Sequence, residues 1–226
     1  MSARARDWPR RAHLTTRAVP ADSFVRTQSL RGSMEPKRPR LVLVTGVPGC
    51  GKTGATKAIE KSLGEGWVVV HGDDLIGPTF RIYKGDWAKV RPYHPRTIGW
   101  SVGWHLAYPR NVVVEGCFRT QQEVETFLGG VREFSTNQGR IEVILLDVDL
   151  DETAKRLAND PNREPALSGA DRLQGLRNWV RSMVVDRTIV TNVIDCRGKK
   201  RSEITDELLG LIRPQTGSGA SGGVGR

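Results

Sequence analysis

The chain is short of cysteine, short of acids relative to bases, and without any long apolar run, and each shortage closes off a class of protein. Its three cysteines, Cys50, Cys117 and Cys196, stand far apart with no pair at metal-ligand spacing. Neither a disulfide scaffold nor a thiolate zinc site is indicated, and a reducing, cytoplasmic setting is expected. No stretch approaches the roughly 18 to 20 consecutive apolar residues of a membrane-spanning helix, so no membrane partner is expected. Acids number 25 against 35 Lys and Arg, a formal net charge of +10. Most of that excess sits at one end. Residues 1–40 hold ten Lys or Arg against three acids, which is +7 and leaves +3 for all the rest. A general basic groove for nucleic acid is therefore not favoured, although a basic arm remains.

With 226 residues the chain can bury one substantial core, and its composition divides it into three parts. Residues 1–39 are Arg-rich, acid-poor and without hydrophobic periodicity, which predicts a disordered extension. Three explanations stand for it: a solvated tail, an Arg-rich organelle-targeting peptide over residues 1–33, or a true start at Met34. Residues 40–213 form the expected domain, and residues 214–226 a flexible Gly/Ser-rich tail. Within the domain, short apolar runs at 41–45, 67–71, 111–114, 141–147 and 189–195 alternate with helical patterns. That alternation predicts a parallel sheet covered by helices on both faces. Helices are expected over 52–63 and about 171–185, after a Thr120/Glu123 capping box, and after Ser202.

The strongest signal follows the first strand. Gly46-Val47-Pro48-Gly49-Cys50-Gly51-Lys52-Thr53 completes a G-x-x-x-x-G-K-[ST] pattern between a strand and a helix. Successive backbone N–H groups must converge on phosphate oxygens at a helix N-terminus, which demands glycine wherever a side chain would obstruct. Pro48 has no N–H, so the donors are expected from Gly49 onward, with Gly46, Gly49, Cys50, Gly51, Lys52, Thr53 and Gly54 as the nucleotide-binding set. Lys52 is the expected bridge between β- and γ-phosphates, and the Thr53 hydroxyl the expected Mg2+ ligand. Cys50 contributes through its backbone, not its thiol.

Acids at two strand ends suit phosphoryl transfer. The second strand runs into Gly72-Asp73-Asp74-Leu75-Ile76 at the carboxyl edge of the sheet, where open α/β folds bind their ligands. A carboxylate there can accept the proton of an attacking hydroxyl. The third strand ends in Glu115, which suits a residue that orients magnesium or its water.

These residues resemble the P-loop kinase group of small phosphotransferases, especially chloramphenicol phosphotransferase, zeta toxin and the kinase domain of polynucleotide kinase. The resemblance spans residues 41–212. It is carried by the P-loop, the segment 72–76, the strand Val112-Val113-Val114-Glu115-Gly116 and the pair Ile194-Asp195. It implies a five-stranded parallel sheet in the order 2-3-1-4-5, ATP with Mg2+, and a catalytic base that maps onto Asp73 before Asp74. It also implies a mobile lid whose arginines reach the transferred phosphoryl, with Arg163 the first choice and Arg156 and Arg172 behind it.

Residues 78–106 contain Tyr83, Trp87, Tyr93, His94, Trp100 and Trp104. Aromatic faces there suit an acceptor pocket, while Ile98, Val102 and Leu106 define a helix face whose packing Trp100 and Trp104 could extend. His94 precedes Pro95 and reads as a lead into that helix, and His71 as a packed strand residue. The function expected from the residues is an ATP-dependent kinase that phosphorylates a small-molecule hydroxyl. The alternatives are a 5′-hydroxyl polynucleotide kinase and a non-catalytic or mechanical ATPase, with the paired acids usual in the latter absent at Val114-Glu115-Gly116.

Overall fold

The computed structural model describes residues 38–213 apart from 83, 85, 109, 137–138 and 160–169. The expected N-terminal extension up to residue 37, the C-terminal tail and Arg163 lie outside the described residues.

Five strands, β1 (Arg40–Thr45), β2 (Trp67–His71), β3 (Asn111–Glu115), β4 (Arg140–Asp147) and β5 (Asn192–Asp195), form one sheet in the order β2-β3-β1-β4-β5. Every pairing is parallel, as the doubly apolar strands required. The helices are α1 (Lys52–Glu60), α2 (Gly72–Ile82), α3 (Trp87–Val90), α4 (His94–Ala107), α5 (Gln121–Phe134), α6 (Leu150–Ala158), α7 (Ala170–Ser182) and α8 (Arg201–Ile212). Side chains alternate across a strand, so β1 feeds two cores. Val42 and Val44 join Ile59, Val180, Leu208 and Ile212 under α1, α7 and α8. Leu41 and Leu43 join Ile98, Val102, Phe127 and Val131 under α4 and α5.

Several boundaries differ from the sequence reading, each for a local reason. β5 begins at Asn192, not at residue 189, because Asp186 Oδ1 accepts the Thr188 N–H at 2.9 Å and caps a 3₁₀ turn, Arg187–Ile189. Thr191 Oγ1 then takes the ladder place opposite Val143, accepting its N–H at 2.9 Å. β3 runs one residue past 114, and Glu115 pairs in register with both Val44 and His71. α1 ends at Glu60, where Ser62 N–H turns back to the Ile59 carbonyl at 2.8 Å. Thr120 does cap α5, accepting Glu123 N–H at 3.2 Å, but the Glu123 carboxylate reaches Arg119 N–H at 2.7 Å instead of Thr120. α8 starts at Arg201, with the Glu203 carboxylate accepting the Lys200 N–H at 2.6 Å.

Candidate active site

The carboxyl edge of the sheet gathers the chemistry. β1 passes into the glycine loop and then α1, whose N-cap is Gly51 at φ 95°, a left-handed conformation open to glycine. No side chain caps this helix and its first turn holds no acid. Its free N–H groups and positive dipole end are left for an anion. A Cβ at Gly46 would sit 2.8 Å from both Cys50 Sγ and the Leu146 carbonyl, so the loop can enter the sheet edge only as glycine.

Lys52 is buried, 6% exposed, and folds back on its own loop: Nζ donates to the Gly46 carbonyl at 2.9 Å and to the Val47 carbonyl at 3.1 Å. Burial is the largest influence on its pKa and lowers it. Facing groups outweigh that effect, Cys50 and Cys117 and then the Glu115 and Asp73 carboxylates, so the net shift is upward. Lys52 stays a cation in this site.

Glu115, 3% exposed, is fixed through both oxygens. Thr53 Oγ1 donates to Oε1 at 3.2 Å, and His71 Nδ1 lies 3.4 Å from Oε2. His71 also meets Thr56 Oγ1 at 3.5 Å and the Glu60 carboxylate at 3.8 Å through its other nitrogen. The packed role read for His71 is thus a support of Glu115. Thr53 and Glu115 form a pair of hard oxygen donors, which fits Mg2+, an ion that is usually held by one or two protein oxygens with phosphates and water completing its shell. Among the described residues no group of three or more His, Cys, Asp or Glu side chains could cage an ion by itself.

β2 ends beside Glu115, and α2 starts at once. A Cβ at Gly72 would stand 2.7 Å from Ile98 Cδ1 and 2.8 Å from the Glu115 carbonyl, so glycine lets α2 pivot directly over β3. That pivot sets Asp73 on the wall of a cavity of about 860 Å³, together with Lys52, Thr53, Glu115, Ile76 and Gly77. Asp74 is exposed and is not part of that wall. The size is that of a small-ligand site.

Several wall residues escaped the sequence reading. His94, read only as a helix lead-in, is 7% exposed and lines the cavity. Burial lowers its pKa, with partial compensation from Asp73 and a Gly72 backbone hydrogen bond, so the ring is neutral near pH 7. Cys117 also lines the cavity, and burial raises its pKa against the lowering influence of Lys52. Trp179 of α7 and Met183 just beyond its end also supply the wall. Only tertiary packing brings these groups here; an invariant spacing to the P-loop would not have revealed them.

Other sequence candidates are elsewhere. Trp100 and Trp104 are 40% and 56% exposed on the outer side of α4. There Trp100 Nε1 donates to Glu133 at 2.8 Å and Trp104 packs edge-on against Tyr108, so neither extends the core nor lines the cavity. The Trp87 and Arg172 side chains lie outside the described residues. Arg156 is held by Glu152 at 3.1 Å on the surface of α6, away from the cavity. A second cavity of about 450 Å³ lies across the loop beneath α6 and α7, between Val47 and Arg187, with arginines already neutralised: Arg181 by Asp151 at 3.3 Å and Arg187 by Asp147 at 2.8 Å.

A parallel sheet in this order, with a phosphate loop and carboxylates converging on one cavity at its carboxyl edge, is the framework of a P-loop kinase, an enzyme of phosphoryl transfer. More narrowly, the chain belongs to the zeta toxin family, whose model matches residues 22–149, over half of the 226 residues. Solved structures repeat the fold. A gluconokinase from Sinorhizobium meliloti 1021 is 20% identical, with 77% of this chain and 92% of that one covered at a TM-score of 0.52. A shikimate kinase from Bacteroides thetaiotaomicron is 18% identical, with 76% and 97% covered at 0.52. The tunicamycin resistance protein of Deinococcus radiodurans is 13% identical, with 77% and 96% covered at 0.55. At these identities the likeness is one of fold. A comparison with curated proteins finds no match. No helix among the described residues is long and apolar enough to cross a membrane.

Proposed function

We propose that the protein transfers the γ-phosphoryl group of Mg2+-bound ATP to a hydroxyl of a small molecule held in the cavity beside Asp73. The observation that carries this reading is the convergence of four groups on one cavity: the P-loop Lys52, the Thr53–Glu115 oxygen pair at 3.2 Å, and Asp73 on the same wall.

Each residue has one task. The glycine loop and the uncapped start of α1, from Gly49 through Gly54, donate backbone N–H groups to the phosphates. Lys52 releases the Gly46 and Val47 carbonyls and turns its charge to the β- and γ-oxygens, a short swing for a side chain already buried in the loop. Thr53 and Glu115 would hold the Mg2+, which would supply positive charge to offset the negative charge that develops on the phosphate oxygens. His71 keeps Glu115 turned toward Thr53. Asp73 accepts the proton of the acceptor hydroxyl as its oxygen attacks phosphorus. Arg163 completes the reading as the lid arginine that meets the transferred group.

The test is incubation of the full chain with Mg2+ and γ-labelled ATP, a panel of hydroxyl-bearing small molecules and a 5′-hydroxyl oligonucleotide. Label on a small molecule, lost on chelation of Mg2+, supports the reading. Label on the oligonucleotide alone would replace the acceptor class. Tight nucleotide binding with no label transferred to anything would overturn a kinase mechanism.

A further inference from the structure

The cavity fixes the acceptor end of the site and leaves the nucleoside end to be found. Asp73, Ile76 and His94 reach the P-loop from α2 and α4, on the β2–β3 side. The transferred phosphoryl must face them, so the rest of the nucleotide leaves past the first turn of α1 on the opposite side. There α8 packs against α1.

Arg201, the first residue of α8, lies over Gly54 at that point. A Cβ on Gly54 would meet its Nε, Cζ and Cδ at 3.0, 3.2 and 3.5 Å. Three successive atoms at nearly one distance mean that the glycine faces the plane of the guanidinium. An edge-on approach to Nε would hold Cζ and Cδ much farther away than Nε. The absent side chain at Gly54 is what lets the plane lie flat on the backbone, and Arg201 is otherwise exposed. Neighbouring arginines are committed: Arg197 to Asp195 at 2.8 Å and Arg187 to Asp147 at 2.8 Å. Among the described residues no carboxylate forms an ion pair with Arg201.

We propose, resting on the nucleotide reading above, that Arg201 is the platform for the nucleobase, with one guanidinium face on Gly54 and the other stacked on the base. A planar, weakly hydrated, delocalised cation suits that task, since it stacks on a π-face without competing for the hydrogen-bonding edge. A face contact also carries a consequence for specificity. Every nucleobase has a π-face, so Arg201 strengthens nucleoside binding and supplies no choice between adenine and guanine.

The test is equilibrium binding of Mg2+ complexes of ATP, GTP and inorganic tripolyphosphate to the full chain and its Arg201 variants, each checked for unchanged thermal melting. Arg201→Ala is expected to weaken ATP and GTP alike by about 5- to 30-fold and to leave tripolyphosphate within about twofold. Arg201→Lys should resemble Ala, because it keeps the charge and loses the plane, whereas Arg201→Tyr should retain most of the affinity. Unchanged ATP affinity in Arg201→Ala overturns the proposal. Equal losses for ATP and tripolyphosphate, rescued by Lys, also overturn it and make Arg201 a phosphate contact. A wild-type chain that binds neither ATP nor tripolyphosphate would instead sink the P-loop reading itself.

Discussion

Exchanging Asp73 for Asn should stop phosphoryl transfer and disturb little else, and the adjacent Asp74 supplies an internal control. Both acids stand in the first turn of α2 and both are exposed. Neutralising either one therefore costs the same favourable interaction with the helix dipole, about 0.3 to 1 kcal/mol. For a domain of this size that amounts to roughly 1 to 4 °C in Tm, shared by the two variants. Their chemistry should separate, because only Asp73 belongs to the cavity wall with Lys52 and Glu115. Loss of a positioned general base lowers kcat by about 10² to 10⁴, which is roughly 2.7 to 5.5 kcal/mol of barrier. Asn keeps the shape of the side chain, so ATP affinity should change little. The assay is transfer from γ-labelled ATP into a small-molecule metabolite extract, resolved by chromatography, with nucleotide affinity measured in parallel by calorimetry. If Asp74→Asn is the inactive variant, the base moves by one residue. If both variants transfer normally, proton abstraction by this segment is wrong.

Other perturbations separate the remaining roles. Lys52→Ala should weaken ATP binding by about 10- to 100-fold and abolish turnover, since the β- and γ-phosphates lose their buried cation; undiminished turnover would refute its role. Glu115→Gln keeps an oxygen for the Thr53 hydroxyl but loses the charge, so the Mg2+ concentration needed for half-maximal turnover should rise by about tenfold or more, with metal-free tripolyphosphate binding unchanged. His94 has a folded pKa below that of the unfolded chain, so the unfolded state takes up the proton first. Its contribution to stability is complete above about pH 6.5 and is lost as pH falls, and urea midpoints between pH 7.5 and 5.5 should fall less steeply in His94→Asn than in wild type. Cys196, whose pKa burial pushes up to about 12, should resist iodoacetamide at pH 8 in the native chain; rapid native-state labelling would contradict its buried setting.

How much of this was legible in the sequence depended on whether the chemistry was contiguous. The P-loop was, because its cradle is built from consecutive backbone groups, and the buried strands β1, β3 and β4 were, because both faces of each demand apolar residues, while the half-buried edge strand β2 was legible from its Val68-Val69-Val70 run. The start of β5 was misread since Ile189 and Val190 are apolar enough for a strand, while the deciding group is the Asp186 cap three residues earlier. His94 could not be read as part of the site. Its burial depends on α4 starting against the junction of β2 and α2, a contact between segments that no periodicity predicts.

The tryptophans and arginines teach a different lesson, because their placement follows from spacing that was available. In α4, Trp100 and Trp104 stand two residues beyond Ile98 and Val102, so at about 100° per residue they lie roughly 200° from the buried stripe. They belong on the outer side, where they are found. Arg156 follows Glu152 by four residues on α6, the spacing at which opposite charges meet on a helix, and the 3.1 Å ion pair forms there on the exposed surface. Arg181 is taken by Asp151 across the α6–α7 contact, which no local spacing foretells. An arginine's availability to a ligand thus depends on which carboxylates can reach it, and a search for nucleotide-binding arginines should begin with those whose neighbours offer none. By that criterion Arg201, at the start of α8 and flat against Gly54, stands ahead of Arg156 on α6.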